Sequence, residues 1–280
     1  MKTQKIIFIL GLFISFLTTY GQEVKVLSYN IKYDNVNDTV NNWNDRKEAM
    51  VELLNYYEPG IIGMQEVLDH QLTYLDENLS DYTFIGVGRD DGKKKGEYSP
   101  ILYNTKKYTL LKSETFWLSE TPHEISVGWD ASMERICTYG VFVDIESGKQ
   151  FMVFNTHFDH IGTVAREKSA ELIVTKIKEL NSNKLPVVLM GDLNLSPNET
   201  PIKFLQGALT DGQSITKKPF YGPTGSFSGF DHNRVLNNRI DYLFVENFKV
   251  LEYIHIDDRM ENNKHISDHL PVFANLEMKN

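Results

Sequence analysis

The sequence predicts an α/β (α+β) fold in which two mixed β-sheets pack face to face and helices cover the outside. Strand-like segments with alternating or continuous apolar residues outnumber helical segments along the 280 residues. Helices separate some neighbouring strands and short turns separate others, so a regular doubly wound sheet does not fit. The glycines of residues 86–92 lack the strand–loop–helix setting of a phosphate-binding or dinucleotide-binding loop.

The first elements alternate between strands and helices. Residues 23–31 alternate as a strand does, and residues 45–59 carry apolar side chains at helical spacing until Pro59. Residues 60–67 form an apolar strand with a polar end, and residues 69–79 form a second short helix. These two helices are expected on the outside of the sheets.

The rest of the chain is rich in strands. The clearest helix covers residues 163–181, where five aliphatic side chains share one face. The last strand begins near Pro271, which suits the first residue of a strand because it has no N–H to donate. Strands are predicted before that helix at 82–88, 99–104, 108–118, 135–145 and 150–159, and after it at 185–194, 239–245, 248–256 and 270–278.

The composition is that of an ordinary globular protein, with 41% hydrophobic and 24% charged residues. No linker, low-complexity tract or helical repeat divides the chain, so we expect one domain over residues 22–280. The formal net charge of −9 argues against non-specific wrapping of nucleic acid, which depends on basic surfaces. A local basic groove or a bound divalent cation is compatible with that charge.

The first residues are typical of an export signal. Lys2 and Lys5 precede an apolar run over residues 6–17, and Gly21 is a suitable last residue before cleavage. We therefore predict a signal peptide over residues 1–21 and a secreted or periplasmic protein with no transmembrane anchor after cleavage. A membrane anchor is the alternative, but about 12 apolar residues are short for a span of about 20.

Cys137 is the only cysteine, so the chain can form no intrachain disulfide. It lies in a strand-like segment, where a buried, unreactive thiol is preferred over a nucleophile. An exported chain without disulfides depends on its hydrophobic core, and this length allows a sufficient one.

Polar side chains that bind metals or transfer protons recur at the ends of the apolar strands. Singly, each has an ordinary explanation, such as a cap for Asn30 or Glu66 and a core position for His157. Asp241 is different, because a buried aspartate within a strand needs a partner. Gathered at one edge, such groups would repel one another unless a cation or a substrate lay among them. The full set is Asn30, Glu66, His157 with Asp159, Asp192 with Asn194, Asp241, and Asp268 with His269.

A series of short motifs carries a resemblance to a known family. In chain order between residues 27 and 273 they are LSYNIK, MQEV, GEYSPILYN, WLSETP, NTHFDH, GDLN, RIDYLFV and SDHLPV. Together they resemble the endonuclease/exonuclease/phosphatase superfamily with its deoxyribonuclease-I-like fold, and exported bacterial members in particular. The resemblance implies a four-layer α/β sandwich and a metal-dependent hydrolase of phosphoric esters.

The resemblance also implies roles for single residues. Glu66 matches the principal Mg²⁺ ligand, with Asn30 beside it, and Asp268 matches an acid near the metal. Asp192 matches the residue that orients or deprotonates the attacking water, and Asn194 matches one that contacts the phosphate. Mg²⁺ prefers oxygen ligands and is commonly held by one or two carboxylates, and Mn²⁺ is the second candidate.

Two histidines complete the implied site. His269 matches the catalytic histidine, and Asp241 matches the acid that orients it. His157 matches the second histidine of the nuclease and phosphatase branches, and Glu97 resembles the partner acid of that histidine. Two further residues are expected at the substrate phosphate or just behind it: Arg135, for which a solvated strand-end arginine is the alternative, and Asp159.

The implied reaction is attack by water on a metal-bound phosphorus, in line with the leaving group. Phosphate esters resist attack because they are charged, so a metal ion, histidines and an arginine must offset charge in the transition state. The sequence leaves open which group takes the proton, and whether one or two ions take part.

Three functions stay open from the sequence. The first is Mg²⁺-dependent hydrolysis of a small or lipid-derived phosphate ester, and the acidic charge favours it. The second is an endonuclease or exonuclease acting on DNA or RNA, and the third is a binding module that retains the fold. No stable protein partner is implied. Nucleic acid would be favoured if the basic run 93–95 or the loop aromatics lined the site, namely Trp43, Trp129, Phe220, Tyr221 and Phe230.

Overall fold

A computed structural model of the chain describes residues 23–279. Within these residues it has two six-stranded β-sheets and four α-helices, which confirms the predicted fold class. The predicted signal peptide, residues 1–21, lies outside the described residues. No helix in the described part of the chain is long and apolar enough to cross a membrane.

The helices are α1 (Trp43–Tyr57), α2 (Asp69–Asn78), α3 (Thr163–Leu180) and α4 (Thr200–Ala208). The strands in chain order are β1 (Glu23–Asn30), β2 (Ile61–Gln65), β3 (Tyr82–Ile85), β4 (Ile101–Asn104), β5 (Tyr108–Trp117), β6 (Ile136–Asp144), β7 (Gln150–His157), β8 (Val187–Asp192), β9 (Thr210–Asp211), β10 (Asp241–Glu246), β11 (Phe248–His255) and β12 (Val272–Met278).

Both sheets are mixed. The first has the strand order β11-β12-β1-β2-β4-β3, and the second has the order β5-β6-β7-β8-β10-β9. One pair in each sheet is parallel, β1 with β2 and β7 with β8, whereas the other neighbours are antiparallel. Each sheet therefore has two adjacent central strands that end at the same edge.

Three apolar clusters lie between four layers. Val24 and Val26 of β1 belong to the cluster between the sheets, whereas Leu27 and Tyr29 belong to the one that holds α1 and α2 against the first sheet. Ile173 of α3 belongs to the third cluster, on the outer face of the second sheet. Burying a large aliphatic or aromatic side chain contributes about 1.5–3 kcal/mol, so period-two alternation in the strands fixes this layering.

A buried amide joins the two sheets directly beneath the strand ends. Asn155 Nδ2 in β7 donates to the carbonyls of Met64 and Pro100 at 2.7 and 2.8 Å. Its Oδ1 accepts from Gln65 Nε2 at 2.6 Å. Gly63 makes this approach possible, because a Cβ there would lie 2.7 Å from Asn155 Oδ1. The relative position of the sheets is thus fixed by specific hydrogen bonds as well as by apolar packing.

The strand register brings the predicted polar ends together. His157 pairs with Asp192 across the parallel strands β7 and β8. Asp241 begins β10 and pairs with Asp192 from the other side. In the first sheet, Asn30 ends β1, and β12 runs antiparallel to it, so the residues just before β12 lie at the same edge.

Several predictions differ from the structure in detail. The strands predicted at 82–88 and 270–278 are shorter, and the two-residue strand β9 was not predicted. Helix α4 was not predicted, because it is only nine residues long, although the proline in its first turn is typical of a helix start. The strand predicted at 185–194 is shorter, since β8 covers only Val187–Asp192. Cys137 is fully buried, as expected, and burial raises the pKa of its thiol.

His255, at the end of β11, anchors the loop that leads to the site. Its Nδ1 lies 2.8 Å from the carbonyl of Pro223 and 3.2 Å from that of Gly225, so the neutral ring carries its proton on Nδ1. Nε2 is buried without a hydrogen-bond partner among the described residues. Burial, together with the charge of Arg239, lowers the pKa of His255 to about 4.

This geometry predicts a loss of stability in mild acid. The unfolded chain protonates His255 near pH 6.5, whereas the folded chain does so near pH 4. Above about pH 6.5 His255 is neutral in both states and does not lower the free energy of unfolding. Its protonation lowers that free energy by about 2–3 kcal/mol as the pH falls toward 4. Urea unfolding at pH 7 and pH 4.5 should show a smaller loss in His255→Gln than in the wild type. Equal losses in the two proteins would contradict the assignment.

Candidate active site

A cavity of about 670 Å³ opens at the edge where the central strands end. Most of the predicted site residues line it, while three of them, Asn30, Asp159 and Asp241, lie buried behind its wall. The lining residues predicted from the sequence are Glu66, Glu97, Arg135, His157, Asp192, Asn194, Asp268 and His269.

Asn30 links two carboxylates across the sandwich. Its Nδ2 donates to Glu66 Oε1 at 3.1 Å and to Asp192 Oδ2 at 3.0 Å. Its Oδ1 accepts from the backbone N–H of Lys32 at 3.0 Å. Glu66 directly follows β2 and has a left-handed backbone, with φ at 58°, which turns its side chain out of the strand direction. Asn30 thus positions Glu66 relative to Asp192.

The side chain of Lys32 lies between two of the acids. The ammonium of Lys32 is 3.3 Å from Glu66 Oε2 and 3.6 Å from Asp268 Oδ2. Burial raises the pKa of Asp268. For Glu66 burial acts in the same direction, but the charges of Lys32 and His269 outweigh it and lower the pKa. This spot requires positive charge, and its oxygen donors fit a hard divalent cation such as Mg²⁺ or Mn²⁺.

The ligand atoms of Glu66, His157 and Asp192 also lie within 4.8 Å of one another. A second group with equally close atoms joins Asp192, Asp241 and His269. In that second group the histidine is already bound to an aspartate, so the side of the cavity at Glu66 is the better place for an ion. Asp268 adds a second carboxylate there, since Lys32 contacts both acids.

His269 and Asp241 form a buried pair. His269 Nδ1 lies 2.9 Å from Asp241 Oδ2, and its Nε2 lies 3.6 Å from Asp192 Oδ2. Ser226 Oγ donates to the same Asp241 oxygen at 2.6 Å and accepts from the N–H groups of Ile240 and Asp241. Burial alone would lower the pKa of His269, but Asp241 and Asp192 raise it to about 10. His269 therefore presents a charged N–H toward Asp192.

Asp192 lies at the centre of the cavity and has a neutral-range pKa. Burial raises the pKa of Asp192 to about 7, and the nearby Asp241 carboxylate acts in the same direction. Its Oδ1 accepts from the N–H of Asn194 at 2.9 Å, where the backbone is left-handed with φ at 50°. A carboxylate with such a pKa is suited to orient water and to exchange a proton with it.

His157 is held neutral beside Asp192. Asn194 Nδ2 donates to the Phe158 carbonyl at 3.0 Å and to His157 Nε2 at 3.1 Å, so the proton of the neutral ring lies on Nδ1. Burial and then the charge of Arg135 lower the pKa of His157 well below its usual value. His157 Nε2 is 3.5 Å from Asp192 Oδ2.

Glu97 is bound mainly to Arg89 and not, as expected, to His157. Its Oε2 is 3.9 Å from His157 Nδ1, which is beyond hydrogen-bonding distance. Both carboxylate oxygens instead accept from Arg89, at 2.8 and 3.0 Å. A single arginine in a glycine-rich loop gives no periodic signal, so only the opposite charge of Glu97 in the same loop hinted at this pairing.

Arg135 is buried, with 4% of its surface exposed, so it is not the solvated arginine considered above. Its Nε is 3.4 Å from Asp159 Oδ2, and Nη2 donates to His160 Nδ1 at 3.0 Å. Asp159 also accepts from four N–H or O–H groups around the start of α3. These hydrogen bonds lower the pKa of Asp159 despite its burial. Asp159 thus positions Arg135 rather than facing the cavity.

A second buried arginine holds the two loops that carry Lys32 and Asp268. Arg46 of α1 is 1% exposed and donates to the carbonyls of Ile31, Lys32 and Ile266 at 2.8 to 3.1 Å. The first two carbonyls follow Asn30 and the third precedes Asp268 by two residues. This role could not be predicted from the sequence, because Arg46 lies among the charged residues of a helix. Other cavity residues missed from the sequence are Tyr33, Met133, His160, Ser196, Glu199, Phe227, Asn238 and Ile240.

The basic and aromatic residues that would favour a nucleic-acid substrate do not line the cavity. The run Lys93–Lys95 is exposed at a loop tip and does not line the cavity. None of the five aromatic residues singled out from the sequence lines it either. The cavity is lined instead by Tyr33 and Phe227.

The profile of the Endonuclease/Exonuclease/phosphatase family matches residues 27–269. The chain belongs to this family. Its members are hydrolases that act on phosphate esters and generally depend on divalent metal ions.

Two solved structures from one bacterial species are similar over almost the whole chain. A family protein from Bacteroides thetaiotaomicron is 37% identical with a TM-score of 0.89, and the match covers 93% of this chain and 100% of that one. A mannosyl-6-phosphatase from the same species is 38% identical with a TM-score of 0.87, and covers 90% and 99%. A probable RNA exonuclease of Saccharomyces cerevisiae is 26% identical, but the match spans 63% of this chain and 35% of that protein.

Proposed function

We propose that this protein is an exported, Mg²⁺-dependent hydrolase of a small phosphate ester, with a sugar phosphate as the first candidate substrate. One observation carries the proposal. A single cavity joins an oxygen-rich cation site at Glu66 and Asp268 to Asp192, whose pKa is about 7. His157 and His269 flank Asp192 on two sides.

The residues divide the chemistry among them. Mg²⁺, held by Glu66 and Asp268, would supply positive charge for the phosphoryl oxygens. Asp192 orients a water and accepts its proton while the water oxygen forms a bond to phosphorus. His269 donates a charged hydrogen bond to a phosphoryl oxygen, and Arg135 adds a second charged donor through its Nη1, which has no hydrogen-bond partner among the described residues. Asn194, whose amide donates to His157 and to the Phe158 carbonyl, holds His157 in position. The ester P–O bond breaks, and the leaving alkoxide takes up a proton from the surrounding water.

The small substrate is favoured over a nucleic acid by the charges around the cavity. The cations that line it among the described residues are Lys32, Arg89, Arg135 and the charged His269, and each of them lies beside a carboxylate. A polyanion needs a basic strip that leads away from the site, and the basic loop tip stands outside the cavity. The likeness to a mannosyl-6-phosphatase supports a sugar phosphate. A binding module without activity is disfavoured, because the acid, base and cation positions are all filled by suitable residues.

A substrate panel tests the proposal. The protein comprising residues 22–280 should hydrolyse p-nitrophenyl phosphate and mannose 6-phosphate with Mg²⁺ and lose that activity in EDTA. His269→Ala and Asp192→Asn should each lower kcat by about 100-fold or more, with circular dichroism showing that both variants are folded. His269→Ala should melt at a lower temperature than the wild type, because it leaves the buried Asp241 without its partner. The matched control is His123→Ala, an exposed histidine outside the cavity. Cleavage of plasmid DNA or RNA without cleavage of small esters would instead make the protein a nuclease. A folded His269→Ala variant with full activity would overturn the mechanism.

Export rests on residues 1–21 alone. N-terminal sequencing of the protein recovered from the medium or periplasm of a bacterial host should begin at Gln22. Recovery of the uncleaved chain from the membrane fraction would support the anchor instead.

A further inference from the structure

Arg89 lies on a tightly closed loop at one wall of the cavity. The loop is closed by backbone hydrogen bonds, including Arg89 N to Glu97 O at 3.1 Å. Asp91 Oδ1 accepts from two further N–H groups within it, at 2.8 and 2.9 Å. Trp117 Nε1 donates to the Arg89 carbonyl at 2.8 Å and so ties the loop to β5. This wall is therefore held in place independently of any ligand.

The wall presents two guanidinium groups. The Arg89 side chain is 11% exposed, and Glu97 holds it in a two-bonded ion pair. Arg135 lies on the same side of the cavity, where it lines a common surface with Arg89, Glu97 and His157. Both arginines line the cavity, and Arg135 Nη1 is buried with no hydrogen-bond partner in the described part of the chain. A buried donor without a partner is costly, so this wall is suited to bind an oxygen anion.

The position of the wall separates it from the leaving-group side. His157 has Nε2 3.5 Å from Asp192 and Nδ1 3.9 Å from Glu97, so the arginine wall lies across His157 from Asp192. Ser196 and Glu199 line the cavity elsewhere and are exposed, so they mark part of its mouth. An alcohol leaving group can extend through the mouth, whereas the arginine side chains have little contact with solvent, at 11% exposed for Arg89 and 4% for Arg135.

We infer that Arg89 is a specificity-determining residue that, together with Arg135, binds the unesterified oxygens of a phosphate monoester and disfavours diesters. The inference deepens the proposed function and rests on it for the reaction. A monoester carries about −1.5 to −2 charge near neutral pH and three free oxygens, which suit the forked donors of arginine. A diester carries a second carbon group, and turning that group toward buried N–H donors would leave the donors unsatisfied.

Calorimetry with two simple anions tests Arg89 without requiring turnover. Inorganic phosphate stands for the monoester and dimethyl phosphate for the diester, each titrated into residues 22–280 with Mg²⁺ present. Arg89→Gln should weaken phosphate binding by about tenfold or more and change dimethyl phosphate binding by less than about twofold. Lys93→Gln is the matched control, since it removes the same charge from the exposed tip of the same loop, and it should leave both affinities within about twofold of the wild type.

A second variant separates binding from folding. Arg89→Gln leaves Glu97 buried without its partner, so Arg89→Gln/Glu97→Gln removes both charges together. This double variant should melt like the wild type and still bind phosphate weakly. Phosphate binding equal to that of the wild type in either variant would overturn the inference. Equal weakening of both anions, or a wild type that binds no phosphate, would overturn it as well.

Hydrolysis measured beside the binding keeps the two proposals apart. If the wild type binds phosphate through Arg89 but hydrolyses no ester, the proposed function fails and the inference on Arg89 stands. If it hydrolyses p-nitrophenyl phosphate and bis-p-nitrophenyl phosphate alike, and Arg89→Gln lowers kcat/KM equally for both, the proposed function stands and the inference on Arg89 fails.

Discussion

Crowding of carboxylates at one edge of the sandwich is the constraint on which the rest of the site depends. Glu66, Asp192, Asp241 and Asp268 approach one another there with little exposure to water. Two unit charges 4 Å apart repel by about 4 kcal/mol at an effective dielectric constant near 20. The molecule offsets this repulsion with the Lys32 ammonium, with the charged His269, and with a pKa of about 7 at Asp192.

The fold supplies this crowding through strand register. Parallel pairing ends β1 with β2 and β7 with β8 at a common edge, and β10 and β12 begin there because they run the opposite way. The two sheets are then locked together by Asn155 directly beneath, and Asn30 joins an acid of one sheet to an acid of the other. Arg46 holds the loops on the metal side through backbone carbonyls, so its charge is used to fix the main chain.

Site residues could be predicted from the sequence where a polar side chain interrupts or ends an apolar strand. An apolar strand that ends in Asp192 or His157, or that contains Asp241, breaks its own pattern, and such breaks mark the residues that the structure gathers. Arg89 and Arg46 could not be found in this way, because their partners are carbonyls or a carboxylate that only the folded loops bring near. The pairing of Glu97 with Arg89 has the same origin. Helix α4 was missed for a different reason, since it is only nine residues long, although the proline in its first turn is typical of a helix start.

The most direct test of the central claim is to locate a cation in crystals of the protein soaked with Mn²⁺, using anomalous scattering. The account predicts a peak at the carboxylates of Glu66 and Asp268, and its loss in crystals of Glu66→Gln. A peak confined to other acidic groups, or an unchanged peak in Glu66→Gln, would show that these carboxylates are not arranged for a metal ion, and the proposed chemistry would lose its basis.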